Sequence, residues 1–253
     1  MSSRPSLILV GHGSSTSLAA EQTLYEHALT LRQSQRFEKI LTYFIQQGDD
    51  LPDLPEGEVF ILPFFMSDGF FVRRKIPELF GLKNRERIEG GRHLVLCDAI
   101  GVDPELADII VASVENTARR IGENLSNISV LLVAHGSSKN AASREAAILQ
   151  RDRIRAQKKF SMVDLALLEE PPSITEMLKK FETLPSRTIV VVGLFSANGP
   201  HAAKDVPEAI KAYKQDATGD GSLNIFYDGA VGIRSDIVRL IQSSISRRAA
   251  EIG

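Results

Sequence analysis

With 253 residues, 43% of them hydrophobic and 25% charged, the chain lies in the ordinary globular range and can bury one large core or two modest ones, which excludes wholesale disorder. A net charge of -2 and an isoelectric point near 6.2 supply no general basic field, so no nucleic-acid partner is expected and any basic site is local. The one cysteine, Cys97, forbids an internal disulfide and any four-cysteine zinc or iron–sulfur site, and it fits a reducing cytoplasm.

In chain order, β-rich apolar runs at 7–10, 39–45, 59–65 and 94–97 alternate with helix-length stretches, the first at 18–32. The opening run is too short for a signal-peptide core, and nowhere do apolar residues approach the roughly 20 of a membrane helix. No membrane partner is therefore expected. The polar segment 116–128 reads as a join, continuing a helix or forming a linker. Beyond it, runs at 129–134, 163–168, 188–195 and 223–226 alternate with helices at 141–158, 174–181 and 207–214. Continuously apolar strands predict sheets covered on both faces, and strand–helix alternation predicts parallel, doubly wound order. The expected class is α/β.

Three landmarks recur in order. LILVGHGSS pairs with LLVAHGSS at a displacement of 123 residues, from His12 to His135. LPFFMSDGFFVRRKIPELF pairs with VGLFSANGPHAAKDVPEAI, displaced by 130 from Gly69 to Gly199, and CDAIGVDPELADII pairs with YDGAVGIRSDIVRLI, displaced by 131 from Gly101 to Gly232. Collinear motifs at slowly drifting offsets mark an internal duplication.

A strand running into His-Gly-Ser-Ser places its imidazole at the carboxyl edge of a parallel sheet, where open α/β folds bind ligands. Gly13 and Gly136 permit the tight turn, the serines that follow are placed to cap the next helix, and the turn amides favour an anion. The second motif, Ser196 to Pro207, also follows an apolar strand and carries His201. Where two strand ends lie side by side, His135 and His201 converge on one ion. Neutral imidazole suits Fe, Co, Ni or Zn, and two such ligands with open positions suit an ion that is to be handed on. A third strand leads into LLEEPPSI, where Glu169 or Glu170 adds a carboxylate.

Together, a strand into HGSS, a middle LLEEPPSI and a strand into NGPHAAKDVP resemble the class II chelatases, the sirohydrochlorin cobaltochelatase and ferrochelatase family of CbiX-like and SirB-like proteins. The resemblance covers nearly the whole chain, once per half, as in the long two-domain members. It implies two tandem chelatase-like domains, 1–122 and 123–253, each a mainly four-stranded parallel sheet flanked by helices, forming a monomeric pseudo-dimer or a homodimer. The implied activity is insertion of Co2+ or Fe2+ into sirohydrochlorin or a related tetrapyrrole, in cobalamin or sirohaem biosynthesis. No cofactor is implied beyond the divalent metal substrate, Co2+, Fe2+ or Ni2+. His135 and His201 would bind the ion and accept pyrrole protons, with Glu169 assisting. Because the substrate carries many carboxylates, Lys139, Arg144 and Lys204 in the second half and Arg73, Arg74 and Lys75 in the first are candidates to pair with it. Ser137 and Ser138 on the turn, and Phe70 and Phe71 as apolar area, are further candidate substrate contacts.

The two copies disagree at the chemistry. Aligning Gly69 with Gly199 sets Phe71 opposite His201 and Lys75 opposite Asp205, and aligning YFIQQGDD with LALLEEPP sets Gln46 near Glu169. The first half thus carries a degenerate site in which His12 is a relic, and the second half carries the working one. His27 and His93 match neither motif and read as structural, as does Cys97. The rival from another class is a non-catalytic metal or tetrapyrrole carrier on the same fold. A histidine phosphatase is disfavoured because Gly11 and Ala134 precede the two histidines where a phosphate-clamping Arg is required. A serine hydrolase is disfavoured because neither GHGSS nor AHGSS matches G-x-S-x-G.

Overall fold

The computed structural model describes residues 4–13, 18–48, 50–137, 140–216 and 223–252. Ser138 and Lys139 lie outside the described residues. The chain forms two compact units, Met1–Asp103 with Arg234–Gly253, and Pro104–Ile233.

In the first unit, β1 (Ser6–Gly11), β2 (Ile40–Phe44), β3 (Gly57–Pro63) and β5 (Arg92–Leu96) run parallel, and β4 (Glu86–Glu89) pairs antiparallel with β5, giving the order β2-β1-β3-β5-β4. In the second, β6 (Ile128–Ala134), β7 (Met162–Leu167), β8 (Thr188–Gly193) and β9 (Asn224–Ala230) form an all-parallel sheet in the order β7-β6-β8-β9. The α/β reading and the four parallel strands per half match expectation. The fifth strand, β4, has the sequence ERIE, which is too short and charged for an apolar pattern to reveal; such residues suit an exposed sheet edge.

The inner strands β1, β6 and β8 are buried on both faces. Leu7, Ile8, Leu9 and Val10 alternate sides along β1, yet all four are inaccessible to solvent. One face of the first sheet packs Ile8, Val10 and Ile61 against Ile76 and Phe80 of the short helix α2 (Ile76–Phe80), while α1 (Ala19–Gln33) lies against β1 and β2. In the second unit, α5 (Ile174–Phe181) and α6 (Val206–Asp216) cover the face carrying Leu131, Val133, Ile189 and Val191. Helix α4 (Ala142–Ala156) packs on β6 and β7. Among the described residues the first unit has no helix matching α5; Leu51 and Leu54 from the segment between β2 and β3 pack there instead.

The compact units do not coincide with a division at residue 122. Helix α3 (Glu105–Ile121) ends the first repeat but packs on α4, β8 and β9 of the second unit, and α7 (Ile237–Ile252) ends the second repeat but packs on α1 and β3 of the first. Polar anchors hold each helix. From α3, Ser113 donates to Asp228, Thr117 Oγ1 donates to the same carboxylate at 3.4 Å, and Glu115 pairs with Lys159 at 2.7 Å. From α7, Arg247 pairs with the buried Asp103, and Arg248 with Glu86 at 2.9 Å. An amphipathic helix is satisfied by either of two similar sheets, so chain order names the helix without naming its partner. The join is short: α3 continues through Asn116 to Ile121, Gly122 closes it with φ 71°, and one turn at Leu125–Asn127 leads into β6.

Candidate metal site

Order β7-β6-β8 means that the chain leaves β6 toward one side and returns on the other, which opens a crevice at the carboxyl ends of β6 and β8. His135 follows β6 directly. Gly136, at φ 74°, turns the chain sharply, and a Cβ there would stand 2.9 Å from Glu170 Cγ and 3.1 Å from Leu167 Cβ. His201 opens a single π-helical turn, His201–Asp205, that runs into α6.

The two imidazoles meet edge to face with ring centroids 4.5 Å apart and planes at 87°. His135 Nδ1 lies 2.9 Å from the carbonyl oxygen of Gly136, and His201 Nδ1 lies 2.7 Å from Asp205 Oδ2. A carbonyl and a carboxylate only accept, so both Nδ1 atoms carry a hydrogen, and in the neutral form of each ring the lone pair is on Nε2. A carboxylate or carbonyl behind each histidine is the usual outer shell of a metal-ligating imidazole. Glu169 Oε1 stands 3.5 Å from His135 Nε2. His135, Glu169 and His201 are all about half exposed, with side-chain accessibilities of 41%, 53% and 45%. Among the described residues no group of three or more His, Cys, Asp and Glu side chains closes into a metal cage. The arrangement is an open pair of imidazoles with a carboxylate at its border.

Glu170 does different work. Its Oε1 accepts from the Ser137 backbone N–H at 3.0 Å, and its other oxygen pairs with Arg144, whose guanidinium also donates to the Pro171 carbonyl at 3.3 Å. The Ser137 amide and Arg144 hold the carboxyl below its ordinary range. The anion-favouring turn amides are therefore occupied from within, since the Gly136 N–H donates to Ser143 Oγ at 3.1 Å. The turn serines are expected from the sequence to cap the following helix; α4 begins at Ala142, whose N–H is accepted by Asn140 Oδ1 at 3.1 Å, and its cap position is Ala141, which makes no side-chain cap bond. Arg144, expected at the substrate, is engaged in tying the turn after β6 to the loop after β7. The sequence signal for Glu170 is the doubled glutamate; the signal for Asp205 is its place four residues after His201, opposite Lys75.

The first unit repeats the scaffold with different chemistry. Gln46 N–H donates to the His12 carbonyl at 3.0 Å, as Glu169 N–H does to His135, which fixes Gln46 opposite Glu169. His12 Nδ1 lies 2.9 Å from the Gly13 carbonyl, and Phe71 takes the pose of His201, 4.6 Å from His12 at 87°. Phe71 also stacks on Phe65 at 5.9 Å, as His201 does on Phe195 at 6.2 Å. Arg73 pairs with Asp68 at 3.1 Å and Arg74 with Glu78 at 2.8 Å, both on the surface. His27 is buried against Phe64, His93 pairs with Glu86 at 3.2 Å, and burial pushes the Cys97 thiol up to about 12. No helix among the described residues is long and apolar enough to cross a membrane.

The model of the CbiX family matches residues 6–117 and again 129–248. The probable sirohydrochlorin cobaltochelatase of Halobacterium salinarum is 27% identical over 98% of this chain and 91% of its own length. The sirohydrochlorin cobaltochelatase of Sulfurisphaera tokodaii is 38% identical over 34% of this chain and 69% of its own. Among solved structures, CbiX, described as the terminal enzyme for biosynthesis of siroheme in denitrifying bacteria, superposes with a TM-score of 0.74 at 23% identity, covering 96% of this chain and 98% of its own. A multi-domain protein of Deinococcus radiodurans with structural similarity to chelatases and two additional novel domains gives a TM-score of 0.80 at 22% identity over 95% of this chain. The present chain spans 54% of that protein. These structural likenesses establish the fold.

Proposed function

Because the chain belongs to the CbiX family, matched in both halves, we propose that it inserts a divalent metal ion, Co2+ or Fe2+, into sirohydrochlorin or a related tetrapyrrole, using the site at His135 and His201. The observation that carries this reading is the pair of edge-to-face imidazoles, each with Nδ1 engaged and Nε2 open, beside Glu169 at the switch point of the sheet. Two neutral nitrogens hold a divalent ion firmly enough to position it and loosely enough to release it. Insertion replaces two pyrrole N–H protons by one divalent ion. As the ion moves into the macrocycle, the two Nε2 lone pairs it leaves accept those protons, and Glu169, 3.5 Å from His135 Nε2, passes one on to solvent. The ion is a substrate, and the reading calls for no further cofactor. A single buried thiol fits a reducing cytoplasm.

Anaerobic incubation of sirohydrochlorin with Co2+, Fe2+ or Ni2+ tests the reading through the absorption change on metallation. Wild-type protein should accelerate the change, and His135→Ala or His201→Ala should lose most of that acceleration. Equal rates with wild type and both variants would favour a non-catalytic carrier.

A further inference from the structure

The site in the first unit keeps one imidazole and surrounds it with aromatic rings. His12, part-exposed just past the carboxyl end of β1, engages Nδ1 with the Gly13 carbonyl at 2.9 Å, so in the neutral ring the lone pair is on Nε2. Phe71 and Phe65 pack edge-on to that ring at 4.6 and 6.4 Å, and Phe70 is 55% exposed beside them. One imidazole with Phe71 and Gln46 in place of the second histidine and the carboxylate cannot retain a free divalent ion. A metal already seated in a tetrapyrrole is a different ligand. Its four equatorial positions are filled by the macrocycle, so a single imidazole completes it from the axial side, and flat aromatic area suits the ring.

We propose that the first unit is a binding site for the metallated macrocycle, with His12 Nε2 as axial ligand to the inserted metal. The ligand class rests on the tetrapyrrole reading above. Exposed Arg73 and Arg74, whose ion pairs with Asp68 and Glu78 are surface pairs and exchange readily, are available for the ligand's peripheral carboxylates. The site discriminates product from substrate, because only the metallated ring offers an axial position.

The test uses the full-length protein, both wild type and a His135→Ala/His201→Ala variant that has lost the imidazole pair of the second unit. Metal-free sirohydrochlorin and its preformed Co2+ complex are titrated separately without oxygen. Low-spin Co2+ in a tetrapyrrole carries its unpaired electron along the axial direction, so one axial nitrogen splits its electron paramagnetic resonance lines into triplets. Triplets are expected in both proteins, with the complex bound at least about tenfold more tightly than the metal-free ring. Adding His12→Ala should abolish the triplet and the preference, and free imidazole should restore the triplet. Binding without nitrogen splitting, or splitting that survives His12→Ala, would overturn the proposal. The ready-made complex bypasses insertion, so failure of wild type to metallate sirohydrochlorin would count against the proposed activity and leave this readout standing.

Discussion

Gly232→Ala probes how the strand end that leads to His201 is held. Gly232 donates its N–H to the Phe195 carbonyl at 3.0 Å, and a Cβ added to it would stand 2.3 Å from the Ser196 carbonyl oxygen and 2.6 Å from that residue's C and Cα. All three are backbone atoms, so no rotamer change relieves the contact. Ordinary van der Waals separation requires a shift of about 1 Å, and overpacking of this kind costs about 1–3 kcal/mol. The segment that must move lies five residues before His201. A displacement of about 1 Å at a reacting group costs on the order of 100-fold in rate. Gly101→Ala is the matched control: its Cβ would stand 2.0 Å from the Met66 carbonyl at the equivalent turn of the first unit, whereas the imidazole pair belongs to the second. Denaturant midpoints should fall for both variants, whereas initial metallation rates, measured well below the unfolding transition, should fall steeply for Gly232→Ala alone. A Gly232→Ala protein as stable and as active as wild type would refute the reasoning, and so would equal rate losses in the two variants.

Replacing His201 by Phe copies the first unit, where Phe71 holds the same pose against His12, so His201→Phe should fold with an unchanged thermal transition and lose Co2+ binding by titration. The reverse transplant, Phe71→His with Gln46→Glu and Lys75→Asp, should raise the Co2+ stoichiometry of the full-length protein by one site. Expressed alone, Pro104–Ile233 contains both α3 and the imidazole pair and should give a cooperative unfolding transition. A 123–253 fragment should not, since it strands Ile237, Leu240, Ile241 and Ile245 of α7, each worth about 1.5–3 kcal/mol when buried. The capping box of α5 gives a pH prediction. The Ser173 backbone N–H and hydroxyl group hold Glu176 below its ordinary 4.5, so its contribution is complete above that pH and is lost as pH falls through the lower folded value. Glu176→Gln should flatten that part of the acid limb in melting temperature against pH and leave neutral insertion rates unchanged.

The elements legible in the sequence are those whose pattern is set by burial on both faces. The runs at 129–134 and 188–195 are apolar after their first residue because helices cover each side, and β6 and β8 coincide with them to within two residues. What escapes is decided by partners distant in the chain. The apolar stripe of α3 predicts a buried face, yet nothing local tells Ser113 and Thr117 that their acceptor is Asp228, more than a hundred residues on. The helix exchange is therefore a property of two similar sheets in one chain and is invisible in either repeat alone.

At the site, the residue types are legible and their division of labour is not. A doubled glutamate after β7 announces a carboxylate, but only the turn geometry separates Glu169, beside His135 Nε2, from Glu170, which binds the Ser137 amide and Arg144. Arg144 reads as a substrate contact because its sequence neighbourhood is basic; its actual neighbour is a carboxylate brought from another strand end. Asp205 is the sharper case. Opposite Lys75 in the alignment it is a charge difference between the copies, whereas in the fold its oxygen lies on His201 Nδ1, which places the hydrogen there and leaves the lone pair of the neutral ring on Nε2. In a Phe71→His variant that keeps Lys75, the introduced imidazole would lack that acceptor, and its tautomer would be unfixed. The second histidine and its carboxylate therefore constitute one functional unit, and gaining the imidazole alone would not rebuild the site.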